Sequence, residues 1–73
     1  MSGQWQKLAA LKAEAVNEKL KDGLHVKIIP GQGEQWVDLY DKIGRVRPLA
    51  VGNAHECYLV LDGMYEALKI VGR

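Results

Sequence analysis

Residues 57–63 read Cys-Tyr-Leu-Val-Leu-Asp-Gly, and this stretch decides the predicted fold. Apolar residues at every second position have the period of a half-buried strand, so we expect Cys57, Leu59 and Leu61 to share its core face. The Asp-Gly pair that follows is a strong short-range signal for a β-hairpin. The sequence therefore predicts a strand, a tight turn, and an antiparallel return over Tyr65–Val71.

The same period of two appears earlier in the chain. Leu24, Val26 and Ile28 alternate with polar residues, and Pro30-Gly31 ends this predicted strand. A second strand is predicted from Ile43 to Arg47 because its apolar residues alternate with arginines. The part of the chain after Gly23 is thus predicted to be a set of short antiparallel strands.

The segment before Gly23 has the pattern of an amphipathic helix. Residues 3–22 are rich in Ala, Leu, Lys, Glu and Gln, the strongest helix formers. Its apolar residues form two stripes, the first of Trp5, Ala9, Ala13, Val16 and Leu20, the second of Leu8, Leu11 and Ala15. One docking surface covers about 100° of a helix. The second stripe therefore either lies on a solvated surface or contacts another chain.

Composition predicts one domain, residues 1–73, and excludes several classes of function. The net charge of +1 is far below the basic excess of a dedicated nucleic-acid binder. Ser2 is the only serine and threonine is absent, which excludes a Ser/His/Asp or Thr nucleophile. No apolar run reaches the roughly 20 residues of a membrane span, and we expect no signal segment. The single cysteine, Cys57, excludes an internal disulfide, and we expect a cytoplasmic protein.

Three short stretches carry the glycines and the apolar alternation of the predicted strands: Val26–Gly31, Lys42–Val46 and Tyr58–Gly63. Together they resemble a KOW-type, SH3-like small β-barrel over roughly residues 24–72. In that family the first strand ends at a glycine, a glycine-valine pair opens the second, and the third ends in a hairpin. One helix followed by four to five short antiparallel strands is an α+β fold, with an N-terminal amphipathic helix (residues 1–23) before an antiparallel barrel (residues 24–73). The resemblance implies that the barrel is SH3-like, and the helix lies outside it. Closure into a barrel would also remove exposed strand edges.

The stretch Gln32–Asp41 is predicted to be a loop that contains two aromatic residues. Trp36 and Tyr40 lie four positions apart in it. Either these side chains cover the open end of the barrel, because a small core needs large side chains, or they are exposed binding anchors. This loop is the best single candidate for a binding site.

Basic residues of the predicted strands form the second candidate site. Arg45 and Arg47 project from one strand face, and Lys27 is expected on the neighbouring strand. With Trp36 nearby they would hold phosphates and stack bases, as KOW-like domains that bind RNA do. The alternative is that the arginines pair across the sheet with the carboxylates of Asp38, Asp41 or Glu56. The neutral overall charge favours the ion pairs.

Cofactor and metal chemistry are not expected. His55, Cys57 and His25 have the donor types for zinc or copper. The alternation predicts instead that Cys57 is a buried small hydrophobe. Gly31-Gln32-Gly33 is predicted to be a turn, because the third glycine and the helix of a dinucleotide fingerprint are not evident.

These features predict a non-enzymatic binding module that acts through protein–protein contacts, by analogy an accessory or inhibitory factor of a mobile element. A protein partner or a homo-oligomer is expected, since the helix has more apolar surface than one barrel covers. The candidate partner-binding residues are Leu8, Leu11, Trp36, Tyr40, Arg45 and Arg47. The alternative is a KOW-like RNA- or DNA-binding protein that uses Lys27, Trp36, Arg45 and Arg47. Small plasmid-borne dihydrofolate reductases are SH3-like barrels of similar length, but their active-site motif is not evident in this sequence.

Overall fold

Two helices and three strands follow one another in the order α-β-β-β-α. The computed structural model describes residues 2–71; Met1, Gly72 and Arg73, which the predicted domain also included, lie outside the described residues. The elements are α1 Ser2–Lys19, β1 His25–Pro30, β2 Gln35–Tyr40, β3 Arg45–Gly52 and α2 Ala54–Val71. The strands form one antiparallel sheet in the order β1-β2-β3. Both helices pack on the same face of this sheet, which makes a two-layer structure.

The sheet is open, so the predicted SH3-like barrel is wrong. Within residues 2–71, β1 and β3 each pair with β2 and not with each other. A barrel closes only when the first and last strands pair, and the segment that was expected to supply the remaining strands is α2. The sheet buries one face under two helices instead of curling on itself.

The start of α2 is specified by a capping box. The Asn53 side chain accepts a hydrogen bond from the Glu56 N–H (2.8 Å), and the Glu56 carboxylate accepts one from the Asn53 N–H (2.9 Å). This reciprocal pair satisfies two backbone donors that a helix otherwise leaves free at its N-terminus. The segment therefore begins as a helix, although its apolar residues alternate like those of a strand.

The helical period decides which leucine of α2 lies in the core. Cys57 and Leu61 are four residues apart, and both are fully buried. Leu59 lies about 200° around the helix from Leu61 and is 53% exposed. The prediction that Leu59 faces the core is therefore wrong, whereas the predicted burial of Cys57 is confirmed. The Asp62-Gly63 pair lies in the middle of α2, so the predicted hairpin turn is also wrong.

Gly63→Ala tests the helix against the hairpin by the sign of its effect. Gly63 is not among the glycines with a positive φ, and a Cβ at this position would meet no atom within 4 Å. Alanine should raise the free energy of unfolding by roughly 0.5–1 kcal/mol, because glycine is that much poorer inside a helix. In an Asp-Gly hairpin turn the glycine needs a positive φ, and alanine would be destabilising. Urea unfolding of both proteins gives the sign, and a loss of stability would contradict the helix.

The central strand β2 lies in the stretch that was predicted to be a loop. Gln35–Tyr40 pairs with β1 on one side and with β3 on the other. Val37 is fully buried and Leu39 packs against the core, so the apolar residues of this stretch belong to a strand. The loop prediction is wrong from Gln35 onward. β3 in turn continues past Pro48, which an irregular edge strand tolerates.

The N-terminal helix is confirmed, and it docks through the first predicted stripe. Ala9, Ala13 and Val16 are buried against the sheet and α2. In the second stripe Leu8 is half-buried and Leu11 is 61% exposed. The whole buried core consists of Ala9, Ala13, Val16, Val26, Val37, Cys57 and Leu61. Neither α1 nor α2, as described over residues 2–71, has the length and apolarity to cross a membrane.

Asp41 fixes the turn that leads from β2 into β3. Its Oδ1 accepts hydrogen bonds from the Ile43 N–H (2.8 Å) and the Gly44 N–H (3.0 Å). The Gly44 and Ile43 amides stabilise the ionised carboxylate and hold the pKa of Asp41 below its ordinary value. The turn sets where β3 begins, and therefore places Arg45 directly across from Tyr40.

Candidate functional site

The face of the sheet that carries no helix is the candidate site. In β2, Val37 and Leu39 point towards the helices, so the alternation of a strand places Trp36, Asp38 and Tyr40 on the opposite face. Because β2 is the central strand, these three side chains run down the middle of that face. We call this surface the open face.

The strand register arranges the open face as three rows across the sheet. The apolar row is Ile29–Trp36–Val51, the middle row Lys27–Asp38–Pro48, and the polar row His25–Tyr40–Arg45, each written from β1 to β3. Directly opposite residues in antiparallel strands lie close enough for their side chains to interact. The open face is therefore apolar at one end and carries aromatic and charged groups at the other.

The side chains of the polar row already contact other side chains of the same chain. The rings of His25 and Tyr40 stack with centroids 5.5 Å apart and an interplanar angle of 18°. The Lys27 Nζ lies 4.8 Å from the centroid of the same Tyr40 ring, a cation–π contact. The Arg45 Nε lies 3.4 Å from the Asp38 Oδ2. Of the two sequence alternatives for Arg45, the structure supports the cross-strand ion pair.

Asp38 is the buried centre of the open face. Only 5% of the residue is exposed, although it faces away from the core. Its Oδ2 meets Arg45, whereas its Oδ1 is buried and has no hydrogen-bond partner among residues 2–71. Buried acceptors in native proteins are nearly always paired. The unpaired Oδ1 therefore marks a position where the open face lacks a donor.

The apolar row exposes its side chains at the other end of the face. Trp36 is 38% exposed and Val51, directly opposite, is 55% exposed. The Trp36 ring lies over Gly31, where a Cβ would clash with it, so the indole is held against the β1–β2 turn. An open groove of about 390 Å³ runs beside the ring, and its walls are Trp36, Arg45, Pro48, Leu49, Ala50 and Val51.

Four of the residues predicted for a binding site come together on the open face. They are Lys27, Trp36, Tyr40 and Arg45. Arg47 aligns with the core-facing Leu39 and is exposed on the edge strand, off the open face. Leu8 and Leu11 lie on α1, in the other layer of the structure. Trp36 and Tyr40 do not cover a barrel end, because they lie in a central strand.

From the sequence, Asp38 was not predicted at the centre of a site, and Ile29, Pro48 and Val51 were not predicted to take part in one. Asp38 was considered there as a counter-ion, and the structure confirms that pairing for Arg45. The alternation of Val37 and Leu39 with more polar neighbours was the signal that could have identified β2. The missed apolar residues follow from the register, which sequence alternation alone does not determine.

The His and Cys side chains that were considered as metal ligands do not come together. His25 lies in β1, whereas His55 and Cys57 lie in α2, where the His55 ring packs on Trp5 at 4.2 Å between centroids. Over residues 2–71, no three His, Cys, Asp or Glu side chains are grouped to hold a metal ion. The Cys57 Sγ lies 3.7 Å from the Gln35 carbonyl oxygen, and burial raises the pKa of this thiol.

Comparison with known proteins adds no relative. No family model matches the chain, and neither the curated proteins nor the solved structures that were searched give a significant match. The function is therefore inferred from the open face itself.

Proposed function

We propose that the chain is a non-enzymatic binding module that holds another protein on the open face of its sheet. The observation that carries the proposal is the apolar row. Trp36 and Val51 remain exposed there, whereas other apolar side chains are packed in the core. Tryptophan is enriched among the side chains that dominate protein–protein binding energy. A groove beside the ring provides a concave surface for a partner side chain.

The charged groups of the open face support a protein partner over a nucleic acid. A nucleic-acid interface needs cations free for phosphates and aromatic rings free for bases. Here Arg45 meets Asp38, while Lys27 and His25 both contact the Tyr40 ring. Phosphates would compete with Asp38 for Arg45, and bases would compete with Lys27 and His25 for the Tyr40 ring. The net charge of +1 for the whole chain supports the same choice.

The sheet edges support binding on the face rather than strand addition. On the β1 edge, the Asn17 side chain hydrogen-bonds to both the N–H and the C=O of Val26 (2.7 and 3.1 Å). On the β3 edge, two register irregularities and Pro48 interrupt the backbone pattern that an added strand would need. A partner therefore gains more binding energy from contacts with the side chains of the open face than from hydrogen bonds to either strand edge.

The charge of the open face also favours a different protein over a second copy. Lys27 and Arg45 carry two positive charges, and Asp38 carries one negative charge. A two-fold symmetric dimer would place the same surface on both sides of the interface, so the one unbalanced positive charge of each copy would oppose that of the other. A partner with a neutral or mildly acidic surface avoids this repulsion.

The experiment compares tagged wild-type chain with variants on the two layers of the structure. Proteins captured from a lysate are identified, purified and titrated by calorimetry at two salt concentrations. Trp36→Ser should weaken the affinity by about 30-fold, the scale of a tryptophan hot spot. Val51→Lys serves as a second variant, because Val51 is exposed and its replacement leaves the core intact.

Leu11→Ser is the matched control, since Leu11 is equally apolar and 61% exposed but lies on α1. It should leave the affinity within about twofold, because it is outside the proposed interface. Equal losses for all three variants, or none for Trp36→Ser and Val51→Lys, would contradict the proposal. Binding to generic RNA or DNA that weakens steeply as salt rises would favour the nucleic-acid alternative. Concentration-dependent light scattering of the free chain would favour self-association.

A further inference from the structure

The open face buries an acceptor that its own residues do not satisfy. Asp38 is 5% exposed and lies in the middle row, between Trp36 and Tyr40 along β2. In the described part of the chain its Oδ1 has no hydrogen-bond partner, and its Oδ2 meets the Arg45 Nε at 3.4 Å. Strong ion-pair hydrogen bonds are shorter, about 2.7–2.9 Å. The carboxylate is therefore held weakly on one side and not at all on the other.

Neither of the two cations beside Asp38, Lys27 and Arg45, pairs with its Oδ1. Lys27 is its direct neighbour on β1, but the Lys27 Nζ contacts the Tyr40 ring. The Arg45 side chain is 54% exposed. Both side chains are long and lie at the surface, and both are able to swing aside when a ligand approaches.

The local charge selects an uncharged donor. Lys27 and Arg45 already lie beside this one carboxylate, so a third positive group would be repelled by them. A hydroxyl group adds no charge, and its O–H···O⁻ bond to a carboxylate is short and strong. The neighbouring Trp36 ring, Pro48 and the groove between them fit a flat apolar group better than a polar one. A hydroxyl carried on an aromatic ring combines the two requirements.

We propose that the partner inserts a tyrosine side chain at the open face and donates its hydroxyl to the Asp38 Oδ1, with the ring against Trp36 and Pro48. This inference rests on the proposed function, because it names the side chain that the same surface recognises. It also explains why a carboxylate stays at a position where it is incompletely paired in the free chain.

The test uses two small probes that differ by a single hydroxyl. N-acetyl-tyrosinamide and N-acetyl-phenylalaninamide are titrated into the ¹⁵N-labelled chain, and the amide shifts of Trp36, Asp38 and Val51 are followed. The tyrosine probe should bind about tenfold more tightly, since a hydrogen bond to a charged group discriminates on that scale. In Asp38→Leu the two probes should bind equally, because the acceptor is gone. Asp38→Asn provides a second variant of nearly unchanged shape.

The outcomes separate this inference from the proposed function. Equal binding of both probes in the wild type would overturn the hydroxyl contact but leave the apolar row as a binding surface. A third probe, N-acetyl-glutamic acid α-amide, carries a side-chain carboxylate, and its preferential binding would overturn the inference by assigning recognition to Arg45. A tyrosine preference that persists in both Asp38 variants would place the contact elsewhere and overturn it too. If no probe shifts the open face up to its solubility limit, the inference fails, while the Trp36→Ser and Leu11→Ser comparison still decides the proposed function.

Discussion

Leu61→Ala should lower the free energy of unfolding by about 2–5 kcal/mol, the cost of opening a cavity in a packed core. Leu61 is fully buried and is among the largest side chains that the core encloses completely. Leu59→Ala is the matched control, because the same side chain is removed two residues away on the same helix. Leu59 is 53% exposed, so this change should cost less than about 1 kcal/mol.

Circular dichroism follows both losses: urea unfolding gives the value for Leu59→Ala against the wild type, and the folded fraction without urea gives the value for Leu61→Ala. In a strand the two leucines would share one face and would lose similar stability, because residues two apart point the same way. Equal losses would therefore contradict the helical α2. A chain of 73 residues has only a few kcal/mol of net stability, so Leu61→Ala is expected to be largely unfolded at ambient temperature.

Asn17→Ala should lower the free energy of unfolding by about 1–3 kcal/mol, because it leaves two partly buried backbone groups without a partner. The Asn17 Oδ1 accepts the Val26 N–H at 2.7 Å, and its Nδ2 donates to the Val26 carbonyl at 3.1 Å. This side chain thus connects α1 to the edge of β1. Removal should also speed hydrogen exchange of the Val26 amide.

Two controls bracket the effect of Asn17→Ala. Glu18→Ala changes the exposed neighbouring residue and should stay within about 0.5 kcal/mol of wild type. Asn17→Asp keeps the acceptor for the Val26 N–H but sets a second oxygen against the Val26 carbonyl oxygen, so it should cost at least as much as Asn17→Ala. If Asn17→Ala costs no more than Glu18→Ala, the connection contributes nothing to stability.

Local sequence patterns predicted those elements in which the residue propensities favour the same structure as the packing against the rest of the chain. Residues 3–22 have strong helix formers and one stripe that docks, so α1 was predicted correctly except for its end at Lys19. The alternation of Val26 and Ile28 likewise predicted β1. In these segments the period, the propensity and the burial all favour the same structure.

The prediction failed where two local signals compete. Residues 57–61 alternate like a strand, and an Asp-Gly pair follows them, but Asn53 and Glu56 form the capping box of a helix. The box was visible in the sequence as Asn-x-x-Glu, and with it the wider spacing of Cys57, Leu61 and Leu68 favours a helix. Helical packing against α1 and the sheet outweighs the five-residue alternation.

The candidate site was predicted in its residue types but not in its arrangement. Trp36, Tyr40, Arg45 and Lys27 were identified because aromatic and basic side chains commonly bind ligands. Their assembly on one face depends on the pairing of three strands, which joins residues far apart in the chain. The burial of Asp38 depends on the side chains packed around it, and no local pattern reports it.

The position of the partner on the chain tests the proposed binding face most directly. The partner identified by capture is added unlabelled to the ¹⁵N-labelled chain, and amide shifts are compared with those of the free protein. The largest changes should fall on the three rows of the open face, with Trp36 and Val51 in the apolar row affected most. The outer surface of α1 around Leu11 should stay unchanged. Changes confined to α1 and α2, with the strands unaffected, would contradict the open face as the binding surface.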